Sequence, residues 1–144
     1  MLLRRPARDR AGYIEDFVRS FTAIGSRTNP PDPAELRELA GRLWDRGYHP
    51  AGTARQLAAI NVAPDRTPRL RKLDLPATVI HGTEDRLVNP SGGRATAAAI
   101  PNARLLLLDG MGHDLPHSLW PQFVDAIAAN AGMLESNTVK EETR

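Results

Sequence analysis

The period of the hydrophobic pattern changes near Pro76, and this change constrains the fold more than any other feature of the sequence. Two short apolar segments, residues 77–80 and 105–108, lie on either side of an alanine-rich segment that begins at Asn89–Pro90. Short apolar segments bounded by turn residues are typical of strands covered on both faces, and Asn followed by Pro is typical of a helix start. An apolar helix pattern over about 119–131 follows the second segment. This strand–helix–strand–helix order predicts two parallel strands joined by a right-handed crossover.

Before about residue 63 the apolar residues follow the helical period instead. Asp32 and Pro33 predict the N-cap and the first residue of a second helix, and a third helix is expected over about 51–62. The connector from 64 to 76 has four basic residues without an interleaved aromatic residue, which favours a solvated, partly helical linker over a nucleic-acid patch. An apolar stripe predicts a first helix that ends at Gly25, and the stripe consists of Tyr13, Phe17, Phe21 and Ile24.

These patterns divide the chain into three regions. We expect a helical region at residues 1–64, a strand-containing region at residues 65–133 and a disordered tail at residues 134–144. Gly132 is expected to end the last helix before this tail. The tail is treated as disordered because it is polar and lies at the end of the sequence.

Composition and charge argue against several classes of function. A net charge of +2 gives no basis for binding nucleic acid or anionic membranes, and the lack of cysteine excludes disulfides and thiolate metal sites. No apolar run approaches the ~20 residues that span a bilayer, and the N-terminal residues lack the apolar stretch of a secretory signal. We therefore expect a cytoplasmic protein with no metal, no cofactor, no nucleic-acid partner and no membrane partner.

Asp85 lies just past the carboxyl end of the first predicted strand, in the segment His-Gly-Thr-Glu-Asp (81–85). In open α/β sheets, ligands bind at the carboxyl ends of the strands. A carboxylate at this position can accept the Nδ1–H of an imidazole and hold its tautomer. The competing interpretation is an aspartate that caps its own turn, which is the commoner role of this residue type. Glu84 is the rival carboxylate, and its position one residue earlier predicts that it faces solvent.

His113 follows the second predicted strand, in the segment Gly-Met-Gly-His (110–113). The two glycines predict a compact, mobile loop that brings an imidazole to the same edge of the sheet, where it could act as a general base. A loop histidine taken alone is more often an ordinary surface residue. His117 is the rival and is expected to be exposed near the start of the last helix, whereas His49 and His81 are expected to be structural.

Taken together, the two segments resemble the last part of the α/β-hydrolases, whose triad follows the order Ser, then Asp or Glu, then His. The resemblance extends from Leu75 to about Ala131, and residues 12–63 are less specifically similar to the helical cap of that family. It implies an incomplete α/β-hydrolase fold, with two parallel strands, flanking helices and an N-terminal cap region. It also implies that Asp85 orients His113 as the general base in a serine-type hydrolysis of a carboxylic ester or related acyl compound.

The sequence departs from the family at the nucleophile. The family places its serine in Gly-x-Ser-x-Gly at a strand-to-helix turn. Related haloalkane dehalogenases and epoxide hydrolases use an aspartate instead, so the identity of the nucleophile stays open. We expect this chain alone to be inactive. Five serines are present and none lies in such a motif: Ser20, Ser26, Ser91, Ser118 and Ser136.

Two interpretations of function follow. In the first, the chain is the C-terminal fragment of a hydrolase for a small ester-type substrate, and it pairs with an N-terminal hydrolase half or with itself. In the second, it is a non-catalytic interaction module or a truncated gene remnant. Aromatic residues of the cap-like region are candidates for lining the substrate pocket, although core packing is favoured for each. They are Tyr13, Phe17, Trp44 and Tyr48.

Overall fold

A computed structural model describes the backbone of residues 6–142 and the side chains of residues 6–132. The described part of the chain contains helices before and after a pair of strands, as the hydrophobic pattern predicts. The elements are α1 (Arg10–Ile24), α2 (Pro33–Arg46), α3 (Pro50–Val62), the short α4 (Thr67–Leu70), β1 (Thr78–Gly82), α5 (Pro90–Ala99), β2 (Arg104–Leu108), a 3₁₀ turn (His117–Leu119) and α6 (Trp120–Glu142).

The two strands run parallel, and their register brings their carboxyl ends together. Thr78 pairs with Arg104 at one end of the ladder, and Gly82 pairs with Leu108 at the other. Helix α5 makes the crossover between the strands and packs on both of them. Helix α6 also packs on β1, where Thr78 Oγ1 donates a hydrogen bond of 2.9 Å to Asn130 Oδ1. Any side chain that follows either strand therefore lies at one common edge of the sheet.

Helices α1 and α2 pack against each other in the N-terminal region, and local capping fixes where each begins. Asp9 accepts a hydrogen bond of 2.7 Å from Gly12 N at the start of α1, and Asp32 accepts one of 2.8 Å from Ala34 N at the start of α2. Both are N-cap bonds to backbone donors that the helix itself leaves unpaired. The apolar faces of the two helices then meet, and their buried residues include Val18, Leu36 and Ala40.

The last helix is longer than the sequence predicts. Helix α6 continues past Gly132, where we expected it to end, and runs to Glu142 through most of the segment expected to be disordered. A single glycine in a helix interior costs only about 1 kcal/mol relative to alanine, and no proline follows it to stop the helix. Residues 143 and 144 of the predicted tail lie outside the described residues.

The strands are less covered than their composition predicts. Within the described part of the chain, Thr78 to His81 of β1 are only half-buried, and Leu105 of β2 is exposed. Helix α6 leaves the large apolar side chains of Val124 and Ile127 facing solvent. Strands of this composition are normally covered by helices on both faces and paired on both edges, so this apolar surface fits contact with further structure.

Candidate active site

Asp85 and His113 meet at the carboxyl edge of the strand pair. Asp85 lies three residues past Gly82, the last residue of β1, and His113 lies five residues past Leu108, the last residue of β2. The distance between Asp85 Oδ2 and His113 Nδ1 is 2.7 Å, which is short for a hydrogen bond and typical of one to a charged acceptor. The structure thus joins the two candidate residues, which are 28 positions apart in the sequence.

The turn after Asp85 holds its carboxylate from the opposite side. Asp85 Oδ1 accepts hydrogen bonds of 2.8 Å from both Leu87 N and Val88 N, while the side chain is only 6% exposed. Burial alone would raise the pKa of Asp85, but the hydrogen bonds from Val88 N–H, His113 and Leu87 N–H outweigh it and leave the pKa below its usual value. The carboxylate is therefore ionised at neutral pH. The turn-capping role and the imidazole-binding role, which the sequence presented as alternatives, are carried by different oxygens of one side chain.

The hydrogen bonds of His113 define its tautomer. Because an ionised carboxylate can only accept, the Nδ1 that faces Asp85 carries a proton, and the neutral ring keeps a lone pair on Nε2. Nε2 makes no hydrogen bond within the part of the chain that the structure describes, and the side chain is 42% exposed. The His113 backbone N–H donates to Ile24 O at 2.8 Å. An anchored imidazole with an outward-facing basic nitrogen is the arrangement that a general base requires.

The loop that carries His113 is packed rather than open. Gly110 has a φ of 69°, a left-handed conformation that glycine adopts without strain. A Cβ atom on Gly112 would lie 2.4 Å from the carbonyl carbon of Gly25, so only glycine fits against the end of α1. Gly110, Met111 and Gly112 are all buried. The sequence predicts a compact, mobile loop at these glycines, and the close approach between the loop and α1 confirms that it is compact.

Ser26 and Asp114 join this loop to the N-terminal region, and no motif in the sequence indicates this role for either residue. Ser26 is 2% exposed, and its Oγ donates to Asp114 Oδ1 at 2.5 Å while accepting from Gly112 N at 2.9 Å. Ser26 N also donates to both carboxylate oxygens of Asp114, each at 3.0 Å. The two residues flanking His113 on the chain are therefore both bound to the segment that follows α1.

The rival side chains do not join the pair in the same way. His117 is exposed in the 3₁₀ turn before α6, as predicted, and its ring lies edge-on to Trp120 at 4.3 Å between centroids. His81 lies on β1 with its Nε2 3.0 Å from Val88 O, and His49 is exposed at the start of α3. Glu84 does not simply face solvent as expected: its Oε2 is buried and has no hydrogen-bond partner among the described residues. The reason is that Glu84 N donates to Met111 O at 2.9 Å, which draws the residue towards the buried loop.

The N-terminal helices surround a cleft of about 860 Å³, and neither Asp85 nor His113 is among its lining residues. Tyr13 and Phe17 of α1 and Tyr48 after α2 line it, together with Leu57 of α3. The Tyr13 ring also packs against the Tyr48 ring, at 5.0 Å between centroids and tilted by 59°, so these rings both pack together and line the cleft. Trp44 packs on the same two tyrosines and is not among the lining residues.

The described residues contain no group of three or more histidine, cysteine, aspartate or glutamate side chains that could hold a metal ion. None of the described helices combines the length and the apolar content needed to cross a bilayer.

No protein-family model matches the chain. It is 33% identical over 107 residues to a pimeloyl-[acyl-carrier protein] methyl ester esterase of Xanthomonas campestris pv. campestris, a match that covers 74% of this chain and 41% of that protein. It is also 40% identical over 52 residues to a non-heme chloroperoxidase of Kitasatospora aureofaciens, covering 35% of this chain and 19% of that protein. The chain thus spans about two fifths, or less, of the length of these curated relatives.

Solved structures share the fold. An esterase from Rhodococcus sp. ECU1013 superposes with a TM-score of 0.60 at 24% identity, over 85% of this chain and 42% of that chain. A bromoperoxidase from Bacillus anthracis superposes with a TM-score of 0.52 at 23% identity, over 88% of this chain and 43% of that chain. The strand pair, its flanking helices and the helices before them therefore match part of a larger fold. The chain has a part of the α/β-hydrolase fold, and these relatives and structural neighbours all belong to the α/β-hydrolase superfamily.

Proposed function

We propose that this chain supplies the acid and the base of the catalytic triad of an α/β-hydrolase that cleaves a carboxylic ester or a related acyl compound. The observation that carries the proposal is the 2.7 Å hydrogen bond between Asp85 Oδ2 and His113 Nδ1. In this role Asp85 holds the tautomer of His113 and stabilises the imidazolium that forms during the reaction. His113 Nε2 removes the proton of the nucleophile and later returns it to the leaving group.

The nucleophile in this proposal is a serine contributed by a segment other than these 144 residues. Ser26 cannot serve, because its Oγ is buried between Asp114 and the N–H of Gly112. No serine with a described side chain hydrogen-bonds to His113, and this set comprises Ser20, Ser26, Ser91 and Ser118. After proton transfer to His113, the serine oxygen attacks the ester carbonyl, the alcohol leaves, and water activated by the same imidazole releases the acid.

The uncovered surface of the chain supports the need for such a segment. Within the described residues β1 pairs on one edge only, and the exposed side chains of Val124 and Ile127 lie on the helix that packs against it. Large apolar patches on a soluble protein mark contacts with further protein. The buried Oε2 of Glu84 is a second sign, because a buried acceptor without a donor costs about 1–3 kcal/mol. We propose that strands of the complementing segment cover this surface.

The proposed substrate class rests on the cleft in the N-terminal region and on the names of relatives. The cleft beside α1 is lined mainly by aromatic and aliphatic side chains, which suits an apolar acyl or alcohol group. The curated relative with the longer match is described as a methyl ester esterase, and one of the solved structures is described as an esterase. We therefore propose an ester with an apolar portion as the substrate.

A non-catalytic interaction module is the second candidate, and the exposed apolar side chains of α6 favour it. This candidate predicts association with a partner that does not depend on the chemistry of His113. The two proposals therefore differ in what a histidine variant does to activity and to binding.

The test is complementation. The chain is co-expressed with an N-terminal segment of a related hydrolase that contains the Gly-x-Ser-x-Gly motif, and hydrolysis of p-nitrophenyl esters is measured. We expect activity above that of either part, which His113→Gln abolishes and the matched control His117→Gln leaves unchanged. Both variants should bind the segment equally well. Activity that survives His113→Gln, or binding without any activity, would contradict the catalytic proposal, and the second outcome would favour an interaction module.

A further inference from the structure

We infer that His81 is a positioning residue for Asp85, an inference that rests on the proposed function of the Asp85–His113 pair. His81 belongs to β1 and pairs with Leu107 of β2, so its backbone is held by the sheet rather than by a loop. Its side chain is 12% exposed and points towards the turn that follows Asp85. The ring therefore connects a rigid strand to the segment that presents the acid.

The contacts of the His81 ring show how this connection works. Its Nε2 lies 3.0 Å from Val88 O, and because a carbonyl can only accept, Nε2 carries the proton. The N–H of Val88 donates to Asp85 Oδ1 at 2.8 Å. His81 and Asp85 thus bind the two polar backbone groups of one residue. The same Nε2 lies 3.6 Å from Asp85 Oδ2, the oxygen that binds His113.

This arrangement controls the orientation of the carboxylate. Asp85 Oδ1 is held by the N–H groups of Leu87 and Val88, which leaves Oδ2 directed at His113. Without the bond from His81 to its carbonyl oxygen, Val88 is free to shift, and the bond from the Val88 N–H to Asp85 Oδ1 then weakens. The carboxylate could then rotate away from the geometry that holds His113. The consequence falls on the hydrogen bond of the catalytic pair rather than on the packing of the fold.

Helix α5 supports the ring from its other side, and a glycine makes this contact fit. A Cβ on Gly93 would lie 2.7 Å from His81 Nδ1 and 2.9 Å from its Cγ, distances that force the ring to move. Gly93 is buried in the first half of α5, and its neighbour Gly92 is exposed. A Cβ on Gly92 would meet only Val88 Cγ1, at an ordinary 3.7 Å. The two adjacent glycines therefore form a matched pair for mutation, because a side chain would collide with the His81 ring at Gly93 but not at Gly92.

The test compares two disrupting variants with two matched controls. Gly93→Ala displaces the ring and His81→Leu removes its donor, whereas Gly92→Ala leaves the ring in place and His81→Gln retains an N–H donor. The readout is the Nδ1–H proton and ring ¹⁵N resonances of His113 in the 144-residue chain. NMR is recorded in solution, or by magic-angle spinning if the chain self-associates. We expect the bonded Nδ1–H signal to be lost or strongly shifted in the two disrupting variants and retained in both controls.

A second readout uses the complemented enzyme. Because a misplaced base weakens the transition state and not the binding of substrate, the disrupting variants should lower kcat at least about 10-fold with KM within about twofold. An unchanged His113 signal in both disrupting variants would overturn the inference, and so would an equal loss in all four variants. If the His113 Nδ1–H signal responds as expected but the complex has no esterase activity, the positioning role of His81 is supported and the proposed function is refuted.

Discussion

Removing the hydroxyl of Ser26 should open the loop that carries His113. In Ser26→Ala, Gly112 N–H loses its acceptor in a buried site, and Asp114 loses its shortest hydrogen bond while keeping those from Ser26 N. A buried donor left unpaired costs about 1–3 kcal/mol, and a hydrogen bond to a charged group contributes about 1.5–3 kcal/mol. Since the remaining bonds recover part of this loss, we expect the closed loop to be destabilised by about 2–4 kcal/mol.

Amide hydrogen exchange at His113 measures this opening. Its N–H donates to Ile24 O and not to Ser26, so the variant leaves its own hydrogen bond in place and the exchange rate reports movement of the loop. A loss of 2–4 kcal/mol corresponds to exchange that is about 30- to 1000-fold faster. Ser91→Ala, at an exposed position on α5, is the control and should leave the rate unchanged. Unaltered exchange at His113 in Ser26→Ala would refute the conclusion that Ser26 holds the loop closed.

Three further outcomes are expected. Because folding lowers the pKa of Asp85, the ionised carboxylate contributes its full stabilisation above the ordinary aspartate pKa of about 3.9 and loses it as the pH falls through the lower folded value. Acid unfolding followed by circular dichroism should show this loss of stability. The Asp85→Asn variant should lack this part of the pH dependence. The chain alone should not hydrolyse p-nitrophenyl esters above background, because it lacks the serine motif, and turnover blocked by a serine-directed phosphonate would contradict this. The chain alone should also be unstable or self-associated, because the apolar side chains of Val124 and Ile127 are exposed. A monomer in size-exclusion chromatography that unfolds in one sharp, cooperative thermal transition would contradict this expectation.

The placement of Asp85 and His113 could be predicted because it depends on local patterns and one general rule. Each residue follows an apolar segment that is recognisable as a strand, and parallel strands bring their carboxyl ends to one edge. The hydrogen bond between the two side chains then requires only loops of ordinary length. The order of the two motifs also indicated the superfamily, and the comparisons agree with that assignment.

Other features depend on contacts that a sequence does not display. Ser26 binds Asp114 across 88 positions, and neither residue lies in a recognisable motif. Glu84 was expected to face solvent because it neighbours an inward-facing acid, yet the passage of the Met111 segment over the end of β1 buries one of its oxygens. Gly132 looked like a helix end, but a lone glycine is a weak stop signal when no proline follows.

Labelling with a fluorophosphonate tests the central claim most directly, because the reagent reacts only with an activated serine. We expect no label on the chain alone and rapid labelling of the complementing segment at its Gly-x-Ser-x-Gly serine once the two associate. His113→Gln should slow this labelling at least about 1000-fold, while His117→Gln should not change it. Covalent label on a serine of this chain, or a labelling rate of the complex that is unaffected by His113→Gln, would contradict the assignment of Asp85 and His113 as the acid and base of a shared active site.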